Sequence, residues 1–270
     1  MAAGLLSALT YGVGDFLAGL ASRRDSPLRV VALTHPLSAL ALLGLAFLLG
    51  QPVPPAADLL WGMGAGLVGL VSVLAFYRAL ALGPMGAVSV GTGALSAVVP
   101  VVVGLLAGES LSALGWLGAA GVLVGTALLS FQPGDRGQGS GVPLGLLAGL
   151  GFGFFFVLLG QAESPGVLWT LAAARVASSA VIVPLTARRL GLKPEHPRLI
   201  LASFPGDMLG NLFYLLAVQG GGLAIGALLS SLYPAFTTLM AVMVLREHLR
   251  LPQWVGVAFA LAGALLLSGR

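Results

Sequence analysis

Charge is what this chain has least of. Only 8% of its 270 residues are Asp, Glu, Lys or Arg, whereas an average soluble domain has about 25%. A soluble globule of this length needs a charged surface, so soluble enzymes and disordered proteins are both excluded. The hydrophobic fraction is 58%, and the mean hydropathy is +1.02. These values indicate a membrane protein with several spans.

Other absences narrow the chemistry. The chain has no cysteine, which excludes disulfides, thiol catalysis and thiolate-bound metals. Its three histidines show no metal-ligand spacing and no P-loop is present, so we expect no cofactor, no metal, no ATP hydrolysis and no enzyme activity. The net charge of +4 includes no basic run longer than two residues. This argues against nucleic acid as a partner and is typical of connections that orient membrane spans.

The apolar segments have the length of membrane spans. A helix needs about 20 apolar residues to cross about 30 Å of hydrocarbon. Dividing the chain at its charges, prolines and glycine clusters predicts ten spans, at residues 2–21, 30–50, 58–82, 85–107, 111–131, 142–161, 165–187, 199–218, 222–245 and 251–268. No connection is long enough to hold a soluble domain. We therefore predict an all-α integral membrane protein of ten transmembrane helices, whose function lies within the helix bundle.

Basic residues fall on one side of this arrangement. The connections after odd-numbered spans carry ten Lys and Arg residues, whereas the opposite side carries only Arg270. The positive-inside rule places those connections in the cytoplasm and both termini outside. We expect a multi-pass protein of the cell (inner) membrane, surrounded by lipid, as a monomer or homodimer.

The two halves of the chain resemble each other at a constant spacing. Four pairs of residues share one offset of 138: Glu109 and Glu247, Trp116 and Trp254, Gly118 and Gly256, and Gly125 and Gly263. This predicts a five-helix repeat at 1–131, a connecting loop at 132–141 and a second five-helix repeat at 142–270. Because five is odd, the second copy enters the membrane from the opposite side, as in inverted repeats that support alternating access. The two glutamates would cap the helices that follow them.

A segment near the end of each repeat carries a family resemblance. Residues 233–238 read Tyr-Pro-Ala-Phe-Thr-Thr and lead to Leu-Arg-Glu-His-Leu at 245–249, and Pro234 has a weaker counterpart at Ser96. In this pattern the chain resembles the EamA-type members of the drug/metabolite transporter superfamily. Arg175 resembles the arginine in the second helix of that family's repeat. The resemblance implies export of amino acids or related metabolites. Family members are drawn with cytoplasmic termini, whereas the charge distribution predicts the opposite.

Three charged residues lie deep within predicted spans, away from the connections, namely Asp15, Arg175 and Asp207. Ionisable groups at that depth cost several kcal/mol unless they are paired or hydrated, so they indicate function. Asp15 lies four residues after Tyr11, on the same helix face. It would bind a substrate ammonium, exchange a proton for substrate, or make a structural hydrogen bond. Arg175 would bind a substrate carboxylate or phosphate, or form a fixed pair with one of the aspartates.

A polar stripe surrounds the third of these charges. Asp207, Asn211 and Tyr214 follow the i, i+4, i+7 spacing of one helix face. Pro205-Gly206 just before them predicts a broken helix, which is typical of transporter sites. The alternative is that Asp207 reaches the membrane interface without a role in transport.

Two further residues are candidates for the site. His35 precedes a proline, and it would either relay protons near neutral pH or pack as a hydrogen-bonded structural residue. Tyr77 lies near the end of the third predicted span, at a position repeated by Tyr214.

These patterns favour a secondary transporter of small polar or amphipathic metabolites, and the family resemblance implies an exporter or exchanger of compounds such as amino acids. Asp15 or Asp207 would carry the proton if protons drive transport. One alternative is a lipid or lipid-linked sugar translocase of the same fold, whose cavity would open sideways to the bilayer. The other is a non-transporting membrane scaffold, in which the three buried charges would pair with one another and leave no cavity.

Overall fold

The computed structural model describes residues 2–83, 85–108, 110–129, 141–162, 164–246 and 251–268, and within them every regular element is an α-helix. The helices are α1 (Ala2–Arg24), α2 (Pro27–Leu48), α3 (Ala56–Leu82), α4 (Met85–Leu106), α5 (Ala113–Leu129), α6 (Val142–Gly160), α7 (Val167–Arg189), α8 (Pro197–Gly221), α9 (Leu223–Ser230), α10 (Tyr233–Leu245) and α11 (Leu251–Ser268). These bounds confirm the all-helical prediction.

Length and composition identify candidate membrane spans among these helices. Within the described ranges, seven are long and apolar enough to cross a bilayer: α1, α2, α3, α6, α7, α8 and the segment formed by α9 and α10 together. Large apolar side chains also cover the outside of the bundle, since Leu40, Val71 and Leu106 are 68%, 69% and 83% exposed. Such a surface suits lipid rather than water. The count of ten spans and their division into two inverted repeats stay predictions.

The sequence sets where neighbouring helices begin. The Ser26 hydroxyl accepts a hydrogen bond from the Leu28 N–H at 3.3 Å, and Pro27 occupies the first turn of α2. The serine side chain satisfies one free N–H group at the helix start, and the proline there has no N–H that needs a partner. Gly222 has a φ of 85° and separates α8 from α9, because glycine adopts this left-handed conformation without steric cost.

The predicted break at Pro205-Gly206 is wrong, because α8 runs without interruption from Pro197 to Gly221. A proline removes one backbone hydrogen bond, and a membrane helix that is packed along its length tolerates this loss. The interruption occurs instead within the predicted ninth span. There α9 ends at Ser230, a short turn follows, and Pro234 lies in the first turn of α10.

Helix packing joins the first five helices to the later ones. Helix α1 packs against α8 and α10, α3 against α6 and α7, α4 against α6 and α9, α2 against α7, and α5 against α11. Glycines allow the closest approaches. A Cβ placed on Gly14 of α1 would lie 2.8 Å from the Gly206 Cα of α8, and one on Gly66 of α3 would collide with the Ala174 backbone of α7. Small residues bring helix backbones together in this way in membrane proteins.

Helix connections meet at two opposite ends of the bundle. At one end, which we call the basic end, Arg23 Nη2 donates to the Gly83 carbonyl at 3.0 Å and Arg29 Nη2 donates to the Leu190 carbonyl at 2.8 Å. At the other end, the Leu168 N–H and Trp169 Nε1 donate to Gln51 at 3.1 and 3.0 Å. The α1–α2, α3–α4 and α7–α8 connections therefore meet at the basic end, and the α2–α3 and α6–α7 connections meet at the opposite end.

Candidate functional site

A small cavity lies where seven helices meet in the centre of the bundle. Its volume is about 30 Å³, which is room for about two water molecules. The lining comes from α1, α3, α4, α6, α7, α8 and α10, with these residues: Tyr11, Asp15, Gly69, Val73, Ser96, Phe152, Phe155, Phe156, Arg175, Asp207, Asn211 and Tyr233. All three charges that the sequence places deep within predicted spans therefore face one cavity.

Arg175 pairs with Asp207 across the contact between α7 and α8. Arg175 Nη2 lies 2.6 Å from Asp207 Oδ2, yet this oxygen accepts no well-aligned hydrogen bond, so charge attraction holds the pair. The other guanidinium nitrogen, Nη1, lies 3.3 Å from His35 Nε2, and His35 Nδ1 lies 2.8 Å from the Ser178 hydroxyl. A chain of polar contacts thus joins α2, α7 and α8, and it engages both terminal nitrogens of Arg175.

Asp15 differs from the other two charges in its contacts. Asp15 lines the cavity and is only 8% exposed. Among the described residues it makes no ion pair and no hydrogen bond. The close contact of Gly14 with Gly206 brings the following residues, Asp15 and Asp207, to the same cavity from two helices. An unpartnered buried carboxylate is costly, so a proton or a cationic ligand would stabilise it.

Only part of the predicted polar stripe on α8 faces the cavity. Asn211 lines the cavity. Its amide nitrogen donates to the backbone carbonyl of Asp207 at 2.7 Å and to Asp207 Oδ1 at 3.1 Å. Its Oδ1 is buried without a hydrogen bond. Tyr214 is fully buried outside the cavity lining, where its hydroxyl donates to the Phe156 carbonyl at 2.9 Å. Asn211 is therefore available to a ligand, whereas Tyr214 supports the α6 wall.

The two remaining tyrosines predicted for the site are buried in the same region. Tyr11 lines the cavity, packs edge-on against Phe156 and Tyr233, and has a buried hydroxyl without a hydrogen bond. Tyr77 packs beside Phe76 and does not line the cavity. It lies close enough to Asp15 for the two groups to interact electrostatically.

The residues of the repeat pattern lie away from the charges. Pro234 is buried and would contact a Cβ placed on Gly93 of α4 at 2.6 Å. Gly118 and Gly256 are buried in α5 and α11, the two helices that pack against each other. Glu109 and Glu247, with their predicted capping role, lie outside the described residues.

Sequence reasoning missed the aromatic part of the cavity wall. Phe152, Phe155 and Phe156 line it from α6, and Tyr233 lines it from α10. The signal was a run of four phenylalanines within residues 152–156, in a chain with only 7% aromatic residues. Ser178 was also missed, because an isolated serine in an apolar span gives no sequence signal of its partner.

Side-chain contacts join two connections at the basic end of the bundle. Arg29 Nη1 lies 2.9 Å from Asp25 Oδ1 and 3.4 Å from Glu195 Oε1, and the Glu195 N–H donates to Asp25 Oδ2 at 2.8 Å. We call these three residues the clasp. Burial raises the pKa of the Asp25 carboxyl, but the N–H groups of Glu195 and Ser26 and the Arg29 guanidinium lower it further, so it lies below its usual value. The clasp joins the α1–α2 connection to the α7–α8 connection.

The opposite end contains a larger cavity, which we call the vestibule. Its volume is about 580 Å³. It is lined by the ends of α4, α6 and α8, the α6–α7 connection and the start of α9, including Gln161 and Gln219. Tyr214 lies between the vestibule and the central cavity, because it contacts Phe156 in the cavity wall and its hydroxyl lies 3.9 Å from a Cβ placed on Gly160 in the vestibule wall. The described part of the bundle therefore carries the clasp at its basic end and the vestibule at the opposite end.

Comparisons with known proteins agree with this architecture. The model of a family described as the EamA-like transporter family matches residues 1–131 and again residues 139–269. One solved structure, described only as the crystal structure of a protein, is 19% identical to the chain with a TM-score of 0.70, and the match covers 98% of this chain and 94% of that one. At this identity the likeness shows the fold alone. No match is found among curated proteins.

Proposed function

Because the chain belongs to the EamA-like transporter family, we propose that it moves small polar or amphipathic metabolites, such as amino acids, by alternating access. It would act as a secondary transporter, an exporter or exchanger in the cell (inner) membrane. The drug/metabolite transporter superfamily, to which this family belongs, consists of membrane transporters, and the apolar helices agree with that setting.

The central cavity is the observation that carries this proposal. It contains Asp15, a buried carboxylate without a partner among the described residues, together with the Arg175–Asp207 pair, at the meeting point of seven helices. Polar groups of this kind deep in an apolar bundle are expensive, and they are found where a substrate or ion pathway passes. A non-transporting scaffold would pair all its buried charges and enclose no cavity. Asp15 and the cavity both argue against that alternative.

The architecture that fits this mechanism is two inverted five-helix repeats, at 1–131 and 142–270, joined by 132–141. Two matches of the family model to nearly the same ranges support it. The helix packing supports it as well. If α1 corresponds to α6 and α3 to α8, the α1–α8 contact has its counterpart in the α3–α6 contact. The contacts α2–α7 and α5–α11 each join two corresponding helices. Inverted repeats of this kind can rock about a central site and open it to each side in turn.

The distribution of basic residues supports an orientation. Apart from Arg175, the described basic residues lie near the basic end, except for Arg246, which follows α10 in a connection that the ten-span prediction places on the same side. The described connections of the opposite end contain no Lys or Arg. The positive-inside rule then places the basic end in the cytoplasm. The vestibule would face outward and the clasp inward. The conformation described here would therefore be closed towards the cytoplasm.

Proton coupling through Asp15 or Asp207 is part of the proposal, and liposomes test it. The purified protein, reconstituted with and without an inward pH gradient, is supplied with labelled amino acids. Substrate flux should rise with the gradient, and Asp15→Asn or Asp207→Asn should abolish that increase. Asp58→Asn is the matched control, because Asp58 is buried at the opposite end of the bundle and accepts a backbone hydrogen bond from Ser164. Undiminished coupling in both Asp15→Asn and Asp207→Asn protein rejects the coupling mechanism.

A further inference from the structure

The wall of the central cavity is dominated by aromatic rings. Five of its twelve lining residues are aromatic, and they come from three helices: Tyr11, Phe152, Phe155, Phe156 and Tyr233. Several of them pack edge-to-face, with ring centroids of Tyr11 lying 6.3 Å from those of both Phe156 and Tyr233. Aromatic rings present negative faces to a cation, and cages of such rings recognise ammonium groups.

The charges in the same wall leave one negative site unoccupied. Arg175 is neutralised by Asp207 at 2.6 Å and is held from the other side by His35 at 3.3 Å. Asp15 has no ion pair or hydrogen bond among the described residues although its exposure is only 8%. With all three groups ionised, the cavity would carry one net negative charge, located on Asp15. Its complement is a single positive charge.

Two further polar atoms in the wall are open to a hydrogen-bond donor. Asn211 Oδ1 and the Tyr11 hydroxyl are both buried without a hydrogen bond to any residue that the structure describes. An amide oxygen only accepts, and a phenol oxygen accepts as well as donates. Together with the Asp15 carboxylate they provide acceptors that an N–H-bearing cation could use.

We propose that this cavity binds the protonated amine of a substrate, with Asp15 as its counter-ion and the surrounding aromatic rings as its cage. This inference rests on the proposed transport function and specifies its substrate class as amine-bearing monocations. The ammonium group would occupy the space beside Asp15, which has room for about two water molecules in this conformation. The apolar body of the substrate would lie towards Phe155 and Phe156 once the bundle opens.

A carboxylate on the substrate would oppose this mode of binding. Within the part of the chain that the structure describes, Arg175 is the only basic residue in the cavity wall, and both of its terminal nitrogens are already engaged. A zwitterion would have to break the Arg175–Asp207 pair or leave its carboxylate buried without a partner, and either change is costly. Simple amines should therefore bind more tightly than amino acids with the same side chain.

Three probes with one common body test this specificity. Phenethylamine, L-phenylalanine and 3-phenylpropanoate carry a cation, a zwitterion and an anion on the same phenylethyl group. Their binding to the purified wild-type protein in detergent at neutral pH is measured by isothermal titration calorimetry. Phenethylamine should bind at least about tenfold more tightly than either of the others. Equal or tighter binding of L-phenylalanine, or no binding of phenethylamine, overturns the proposal, and this comparison needs no variant.

A pair of variants then assigns the counter-ion. Asp15→Asn should weaken phenethylamine binding at least about tenfold, whereas the control Asp58→Asn should leave it unchanged. Unaltered binding by folded Asp15→Asn protein overturns the role of Asp15. Flux measured in liposomes separates this proposal from the transport function: amine binding without any flux contradicts transport alone. Flux of amino acids without amine selectivity contradicts the ammonium site alone.

Discussion

The neighbours of His35 determine the protonation of its ring. Arg175 can only donate hydrogen bonds, so His35 Nε2, 3.3 Å from Arg175 Nη1, must accept. The ring proton then belongs on Nδ1, where it donates to the Ser178 hydroxyl at 2.8 Å, and that hydroxyl donates to the Arg175 carbonyl at 3.1 Å. A second proton on the ring would place two cations in contact. We infer that His35 is a neutral positioning residue for Arg175, which favours the structural alternative over a proton relay.

The replacement of His35 distinguishes these two roles. His35→Ala should lower the free energy of unfolding by about 1–3 kcal/mol, because a buried donor of Arg175 loses its acceptor. His35→Gln retains an acceptor and should recover most of that stability together with substrate flux. Thermal unfolding in detergent and flux in liposomes measure the two effects. A proton relay predicts the contrary result, in which His35→Gln folds normally but loses its response to a pH gradient.

The ionisation of Asp25 makes the clasp sensitive to acid. Since its pKa in the folded protein lies below its usual value, the charged carboxylate stabilises the folded state at neutral pH. This contribution is fully present above the unfolded pKa of about 3.9 and is lost as the pH falls through the lower, folded pKa. Asp25→Asn should therefore reduce the unfolding temperature at about pH 6, and the deficit should shrink as the pH falls below about 4. A deficit that does not vary with pH contradicts this role.

Individual site residues differ in how far the sequence reveals them. Asp15, Arg175 and Asp207 stand out because each is a charge inside an apolar segment, and the structure brings all three to one cavity. Their pairing is not predictable, because spacing along one helix does not identify the neighbouring helix. The same gap hides Ser178, whose partner His35 lies 143 residues away in the chain.

At the scale of helices, the contact between α1 and α8 depends on two glycines. A Cβ on Gly206 would collide with the Gly14 Cα and lie 2.7 Å from the Thr10 carbonyl oxygen. Backbone atoms cannot move aside as a flexible side chain can, so Gly206→Ala should lower the free energy of unfolding by about 1–3 kcal/mol. It should also reduce flux, since this contact positions Asp15 and Asp207.

Gly220→Ala is the matched control for that substitution. Gly220 lies in the same helix, and no atom of the described residues lies within 4 Å of a Cβ added there. Because alanine favours a helix by up to about 1 kcal/mol over glycine, Gly220→Ala should leave stability unchanged or raise it. Thermal unfolding of both variants in the same detergent gives the comparison. Equal effects of the two substitutions would show that helix propensity, and not the α1–α8 contact, determines the result.

Helix positions are more predictable than helix interruptions. Apolar run length places the helices within a few residues, because each must satisfy its own backbone hydrogen bonds in lipid. The prediction of a break at Pro205-Gly206 was wrong because the glycine there serves the close approach to α1. The interruption between α9 and α10 was missed, since Ser231 and Leu232 carry no local signal strong enough to end an apolar helix.

At the scale of the whole molecule, the two ends of the bundle differ in their contacts. The clasp joins the two halves at the basic end through Asp25, Arg29 and Glu195. At the opposite end, the vestibule of about 580 Å³ separates α4 from α8. If the bundle alternates between two states, interactions made in only one state set their ratio. The clasp belongs to the state that is closed at the basic end, so its removal should shift the protein towards the reverse state.

The absence of native cysteine makes this shift measurable with single introduced thiols. Ser22 is buried near the basic end, and Gln219 is exposed in the vestibule wall. Ser22→Cys and Gln219→Cys proteins are reconstituted and labelled from either side with a membrane-impermeant maleimide. With the clasp intact, the thiol at 219 should react from the side opposite the basic end, and the thiol at 22 should be protected. Adding Arg29→Gln should raise labelling at 22 and lower it at 219, because opening one side closes the other. Parallel increases at both positions would instead show local loosening and contradict alternating access.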